Sequence, residues 1–174
     1  MSLKLRPIVP ADNPFVESLV KTVLEEHGLI GPGWASGDAE LKDMYATYQA
    51  AGSGYWVVED TETGKVLGGG GFGRLKGTTE AENICELQKI YFAPEARGKG
   101  LGKQLLQLII DEAAQAGYGT MYLESAPQLE RAVGLYTQLG FERISCHLGD
   151  TGHQARCSLY MTRPLTKQTT LQPA

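Results

Sequence analysis

The chain is predicted to fold as an α/β (α+β) domain, a mixed β-sheet with helices on its faces. Three observations predict it. Segments of period-two alternation are interspersed with segments of helical spacing, in the order β-α-α-β-β-β-α-β-α-β-β. The 174 residues suit one ordinary domain, and 42% hydrophobic with 21% charged residues allows a packed core. No internal repeat and no linker divides the chain, so residues 1–165 read as a single domain and 166–174 as a polar tail.

Leu3 to Val9 alternates apolar and polar positions, as a first strand does. Asp12-Asn13-Pro14 supplies capping residues and a first-turn proline, and Phe15, Leu19, Val23 and Leu24 follow at helical spacing up to Gly28. Leu29 to Gly37 is rich in glycine and reads as a loop carrying Trp34. Asp38 is placed to cap a second helix with Leu41, Met44, Tyr45 and Tyr48 on one face, ended by Gly52. Tyr55–Glu59 and Lys65–Arg74 read as a hairpin, and Ile84–Phe92 as the next strand, stopped by Pro94. Gly100–Ala116 is the clearest helix, with Leu101, Leu105, Leu108, Ile109 and Ala113 on one face and Gly117 at its end. Met121–Glu124 is a short strand, and Leu129–Leu139 a helix closed by Gly140. Phe141–His147 and Ala155–Thr162 are expected to pair as a last hairpin across Gly149-Asp150-Thr151-Gly152.

Composition excludes several classes. The formal net charge of −4 argues against general nucleic-acid binding, which relies on net positive fields. Three sparse cysteines, Cys85, Cys146 and Cys157, fit reduced thiols in a cytoplasmic compartment better than a disulfide framework. No leader pattern opens the chain, and no apolar run reaches the ~20 residues of a membrane span. Cys146, His147, His153 and Cys157 lie close in sequence, but their spacing is not a common zinc pattern, and adjacent strand residues face opposite ways. No metal is expected. His153 has reach to a carboxylate or to a substrate. Cys85 reads as a buried strand thiol, with no histidine near it in sequence to activate it.

Glycine is the outlier, at 22 residues. Gly68-Gly69-Gly70-Gly71-Phe72-Gly73 fits the spacing G-x-G-x-x-G, but no helix follows, so it reads as a strand with close backbone approach. Arg97-Gly98-Lys99-Gly100-Leu101-Gly102-Lys103 lies between a strand and the best helix. Glycines there let backbone N–H groups converge, and a helix start adds roughly half a positive charge, the physics of a phosphate cradle. The stretch is not a Walker A motif, because Gly102-Lys103 is followed by Gln104.

This stretch, with Glu86-Leu87-Gln88-Lys89-Ile90-Tyr91-Phe92-Ala93-Pro94 before it and Ala132-Val133-Gly134-Leu135-Tyr136-Thr137-Gln138-Leu139-Gly140-Phe141 after it, resembles the GCN5-related N-acetyltransferase (GNAT) family. Arg97 to Gly102 fits that family's Arg/Gln-x-x-Gly-x-Gly/Ala signature, and the element order matches along nearly the whole chain. The resemblance implies a mostly antiparallel sheet of six to seven strands with about four helices, and acetyl-CoA as co-substrate. It implies that Gly98, Lys99, Gly100, Leu101, Gly102 and Lys103 hold the pyrophosphate through backbone amides. Arg97 would contact phosphate or order the loop. The backbone of Ile90, Tyr91 and Phe92 would pair with the pantetheine arm, and an amide there would polarise the thioester carbonyl. Tyr136 matches the tyrosine that faces the departing sulfur. The asparagine common seven positions earlier is Leu129 here, so a cofactor contact is missing, supplied by a neighbour such as Gln128, or unnecessary.

An acceptor amine must be neutral to attack, and at pH 7 an alkylamine with a pKa near 10.4 is almost wholly protonated. A base is therefore useful. Glu86 lies where the family often places a carboxylate, and Glu124 is a second candidate. Trp34, Tyr45 and Tyr48 lie where the family builds its acceptor site. The expected activity is direct transfer to the primary amine of a small molecule in a ternary complex. Alternatives are a protein N-terminus or lysine as acceptor, or a non-catalytic acyl-CoA sensor. The fold often dimerises, so a homodimer is one state that the resemblance allows.

Overall fold

A computed structural model describes residues 1–153 and 155–166; all but the first residue of the expected polar tail, 166–174, lies outside the described residues. Among these residues seven strands form one sheet: β1 Leu3–Pro7, β2 Gly54–Asp60, β3 Lys65–Arg74, β4 Ile84–Phe92, β5 Thr120–Ser125, β6 Glu142–Ile144 and β7 Leu159–Pro164. Their order is β1-β2-β3-β4-β5-β7-β6. Every neighbouring pair is antiparallel except β4 with β5. Among the described residues four α-helices accompany it: α1 Asn13–Glu26, α2 Met44–Thr47, α3 Leu101–Gln115 and α4 Glu130–Gln138. The strands β3 and β4 have the bounds expected from their patterns.

Alternate residues of the sheet enter two apolar clusters. The larger gathers Leu105, Leu106, Ile109 and Ala113 of α3 with Val58, Leu67, Cys85, Met121 and Leu123. The smaller gathers Val16, Val20 and Leu24 of α1 with Met44, Tyr48, Tyr55, Val57 and Val66. Val57 and Val58, and Val66 and Leu67, divide between the clusters, as period two requires.

The glycine run in β3 is a packing device. A Cβ on Gly70 would lie 2.4 Å from Ile90 Cγ1, and one on Gly71 would lie 2.3 Å from the Gly54 carbonyl oxygen. Opposite this run β4 carries a β-bulge: Gly69 pairs with Tyr91 but Gly71 with Gln88, so β4 has one residue too many. Lys89 absorbs it at φ +52°, a region that side chains rarely adopt. The bulge reverses the alternation. Glu86 and Gln88 line a cavity on the α2 side, and after the bulge Lys89 and Tyr91 line the same cavity. Ile90 and Phe92 turn instead toward the larger cluster.

Two expectations are corrected. The second helix is not continuous: Ala39–Asp43 is a 3-10 helix, and only Met44–Thr47 is α-helical. Asp43 caps that short helix by accepting from the Ala46 amide at 3.0 Å, while the Asp38 carboxylate is drawn to Lys89 and His153. The last hairpin is also far shorter than expected. Pairing stops at Ile144↔Tyr160. Beyond Ile144 the chain leaves the sheet because its polar groups find partners elsewhere: the Asp150 amide donates to the Lys76 carbonyl (2.7 Å), and the Thr151 hydroxyl donates to Glu124 (2.8 Å).

Candidate active site

The parallel pair β4–β5 is joined only through Ile84↔Thr120, Cys85↔Met121 and Glu86↔Tyr122. Beyond Glu86 the strands separate. From Leu87 to Phe92, β4 pairs with β3 alone, while β5 continues with β7. The splay opens a cleft of about 610 Å³, lined by Ile90, Tyr91 and Phe92 on one side and by Leu123, Gln128, Leu135 and Tyr136 on the other. Backbone groups on the free side of β4 need partners that the sheet does not supply.

One end of the cleft is the loop into α3. Gly98 (φ +74°) and Gly100 (φ +75°) take left-handed conformations that only glycine adopts without strain. A Cβ on either would meet no atom within 4 Å, so the space before them is open. Gly102 lies inside the first turn, where a Cβ would stand 3.2 Å from Leu135 Cδ2 of α4. The first amides of α3 have no intrahelical acceptor. Arg97 is committed to order: its Nε donates to the Phe92 carbonyl (2.9 Å) and its guanidinium pairs with Glu26 (2.8 Å). Leu101 is buried in the core, and Lys99 and Lys103 are exposed.

A second cavity of about 270 Å³ adjoins the cleft, sharing Leu87, Lys89, Tyr91, Glu124, Ser125 and Leu129. Glu86 lines it and is 8% exposed. Burial, and then the nearby Glu124 charge, raises its pKa above the ordinary glutamate range, against a hydrogen bond from Gln88 Nε2 (2.7 Å). Glu124 accepts from the Tyr122 hydroxyl (2.8 Å) as well as from Thr151. Lys89 Nζ, whose side chain is 6% exposed, is held by Asp38 (2.8 Å) and Glu40 (3.3 Å). His153 Nε2 meets Asp38 at 3.1 Å, and that hydrogen bond raises the His153 pKa. Burial would raise the Asp38 pKa, but His153 and Lys89 outweigh it and hold the carboxyl below its usual range.

Tyr136 is buried in the wall of the cleft, and burial pushes its pKa up to about 12. Among the described residues its hydroxyl has no hydrogen-bond partner. Trp34 lines the smaller cavity, Tyr48 is buried beneath it, and Tyr45 packs against the smaller cluster instead. Leu129 and Gln128 both border the cleft. Cys85 is buried and donates to the Thr120 carbonyl, and burial pushes its pKa up to about 12. Cys146 is exposed and His147 packs edge-on against Tyr160. Among the described residues no three His, Cys, Asp or Glu side chains converge as metal ligands would.

The sequence did not single out Gln88, Lys89 or Thr151 as parts of this cavity. For Lys89 a signal existed: a charged residue inside an otherwise apolar half-strand.

Comparison with known proteins places this architecture. The acetyltransferase (GNAT) family signature matches residues 20–141. The uncharacterized N-acetyltransferase YjgM of Escherichia coli is 41% identical over 162 residues, 92% of this chain and 94% of that protein. The L-methionine sulfoximine/L-methionine sulfone acetyltransferase of Pseudomonas paraeruginosa is 29% identical over 88% of each chain. A GNAT-superfamily phosphinothricin acetyltransferase from Sinorhizobium meliloti, solved in complex with AcCoA, superposes with a TM-score of 0.74 at 26% identity, covering 100% of this chain and 94% of that one. The fold, the signature at the start of α3 and these relatives agree: the chain belongs to the GNAT family of acetyl-CoA-dependent N-acetyltransferases.

Proposed function

We propose that this single-domain chain (residues 1–165) moves the acetyl group of acetyl-CoA directly to the primary amine of a small molecule in a ternary complex. The observation that carries the reading is the meeting of two cavities at the β4–β5 splay, with Glu86 facing one and Tyr136 the other.

The residues present suit the cofactor. The backbone amides from Gly98 to Lys103 and the start of α3 offer donors to a pyrophosphate, with Lys99 and Lys103 adding charge. Arg97 serves by fixing that loop to Phe92 and Glu26. The free side of Ile90–Phe92 offers backbone pairing to an extended pantetheine arm, and an amide in that stretch can donate to the thioester carbonyl. Acetyl-CoA supplies the activated acetyl group; the protein supplies placement and protons. At pH 7 only roughly one alkylamine in a few thousand is neutral. Glu86, with its raised pKa, accepts the ammonium proton directly or through water, and Glu124 is the second candidate for that role. Tyr136, held protonated by burial and without a hydrogen-bond partner among the described residues, donates to the leaving sulfur.

The small-molecule reading is supported by the modest volume of the cavity and by relatives named for acylating methionine sulfone and L-amino acids. A cytoplasmic setting fits its three free cysteines. Among the described residues no helix is long and apolar enough to cross a membrane. The test is a thiol-release assay with acetyl-CoA against amino acids, polyamines, aminoglycosides and short peptides. Release with one class of small amine is expected. Release with peptides only would overturn the small-molecule reading, and cofactor binding without release would indicate a sensor.

A further inference from the structure

Gln88 lies two residues after Glu86 on β4, before the bulge, so the two side chains share a face. Its amide spans two partners. The Tyr48 hydroxyl donates to Gln88 Oε1 at 2.7 Å, and Gln88 Nε2 donates to Glu86 Oε2 at 2.7 Å. Tyr48 is 5% exposed and packs at 5.0 Å against Tyr55, whose hydroxyl donates to the Lys89 carbonyl. The chain of bonds therefore runs from a rigid aromatic pair through one amide to the carboxylate.

We propose that Tyr48 and Gln88 are positioning residues for Glu86, with the Tyr48 O–H fixing which end of the Gln88 amide faces the carboxyl group. The proposal rests on the reading of Glu86 as the base. An amide has a donor end and an acceptor end of nearly equal size. An ionised carboxylate only accepts, so it needs the donor end. A neutral phenol can serve either end, but a buried O–H needs an acceptor, and here its bond goes to Gln88 Oε1. Burial holds the Tyr48 phenol in its protonated form, with a pKa well above the ordinary value. The O–H thus points at Oε1 and leaves the NH₂ group for Glu86. With a phenyl ring in its place, the amide is free to turn its oxygen toward the carboxylate. That orientation favours a protonated Glu86.

The other groups around Glu86 set the background. Glu124 and Tyr122 face it from β5, Lys89 from β4, and Lys76 from the β3–β4 connection. His153 and Cys157 face it from the β6–β7 loop, and Cys85 adjoins it in β4. None of these bonds to Gln88, so altering Tyr48 leaves them in place.

The test is a carbon-13 NMR titration of the glutamate carboxyls in the free protein, with the Glu86 signal identified by its loss in Glu86→Gln. Tyr48→Phe and Gln88→Met should each raise the Glu86 midpoint, by on the order of one pH unit. Tyr48→Phe should add nothing in the Gln88→Met background. The acid limb of kcat/KM for the acceptor should move with the midpoint. An unmoved midpoint in Tyr48→Phe, or an additive shift in the double variant, would overturn the proposal. Activity lowered equally at every pH would mean a merely structural role. Thermal unfolding of each variant checks that it folds. If Glu86→Gln keeps the acid limb, the base reading fails on its own, whatever the NMR midpoints do.

Discussion

His153 Nε2 lies 3.1 Å from Asp38 Oδ1, joining two loops that are 115 residues apart in the chain. Asp38 also holds Lys89 from the bulge of β4. Three segments are thus tied together at the rim of the smaller cavity. The bond raises the His153 pKa, so its ionic part contributes fully below the unfolded value of about 6.5 and is lost as pH rises through the folded value. His153→Gln should therefore destabilise by roughly 1 kcal/mol in mildly acidic buffer and by less at alkaline pH. Denaturant melts of both proteins across that range check it. A gap that widens with pH would show that the sign is wrong.

Glu86→Gln should lower kcat by roughly a hundredfold at neutral pH and by much less at high pH, where the amine loses its proton unaided. Because the Glu86 pKa is raised, the parent's acid limb should lie above the ordinary glutamate value. A loss that is flat across pH would point to a structural role for the carboxylate. The measurement is a pH–rate profile at saturating acetyl-CoA.

Tyr136→Phe removes a hydroxyl that has no partner among the described residues, so the cost to folding should be small. The expected effect is on turnover: kcat down by about tenfold or more, with little change in the KM for either substrate. An unchanged kcat would falsify the assignment of Tyr136 as proton donor.

Gly100→Val meets no protein atom at its Cβ, so its effect comes through the backbone. At φ +75° a β-branched residue costs roughly 1–2 kcal/mol or moves the loop. Either route spoils the convergence of amides at the start of α3, and the Kd for coenzyme A should rise about tenfold. Calorimetric titration of the purified protein decides it; an unchanged Kd removes the loop from the cofactor site.

Two glycines should respond oppositely to alanine. Gly70→Ala puts a methyl 2.4 Å from Ile90 Cγ1 and 3.2 Å from Ile109 Cδ1, and should cost about 1–3 kcal/mol. Gly134 lies within α4 with nothing within 4 Å and no positive φ. Gly134→Ala should raise stability by roughly 0.5–1 kcal/mol. Paired thermal melts compare them directly.

Long, strongly periodic elements were legible in the sequence. The apolar face of α3 and the strand Ile84–Phe92 stopped by Pro94 are local properties of the chain, and both elements lie where the sequence puts them. The placement of the loop between β4 and α3 was legible because its glycines lie close together in the chain, two of them at positive φ. The second helix and the last hairpin were not, because Asp38 and Thr151 bond to residues far away in sequence, to Lys89 and His153 and to Glu124. Such partners override local cap and turn preferences. The same holds for the cavity: Gln88 and Tyr48 meet only because α2 folds over β4.

The extra residue at Lys89 acts on β4 as a frameshift acts on a message read two letters at a time. Upstream, even-numbered positions address the smaller cavity; downstream, odd-numbered ones do. Tyr91 reaches the cavity only because the frame changes between it and Gln88. Deleting a single residue there would leave the composition almost untouched, yet swap the audience of every side chain from Ile90 to Phe92. The apolar pair would face the smaller cavity and Tyr91 would face α3. The meaning of these side chains thus depends on counting from the bulge, and inserted or deleted residues in this strand are far more consequential than substituted ones.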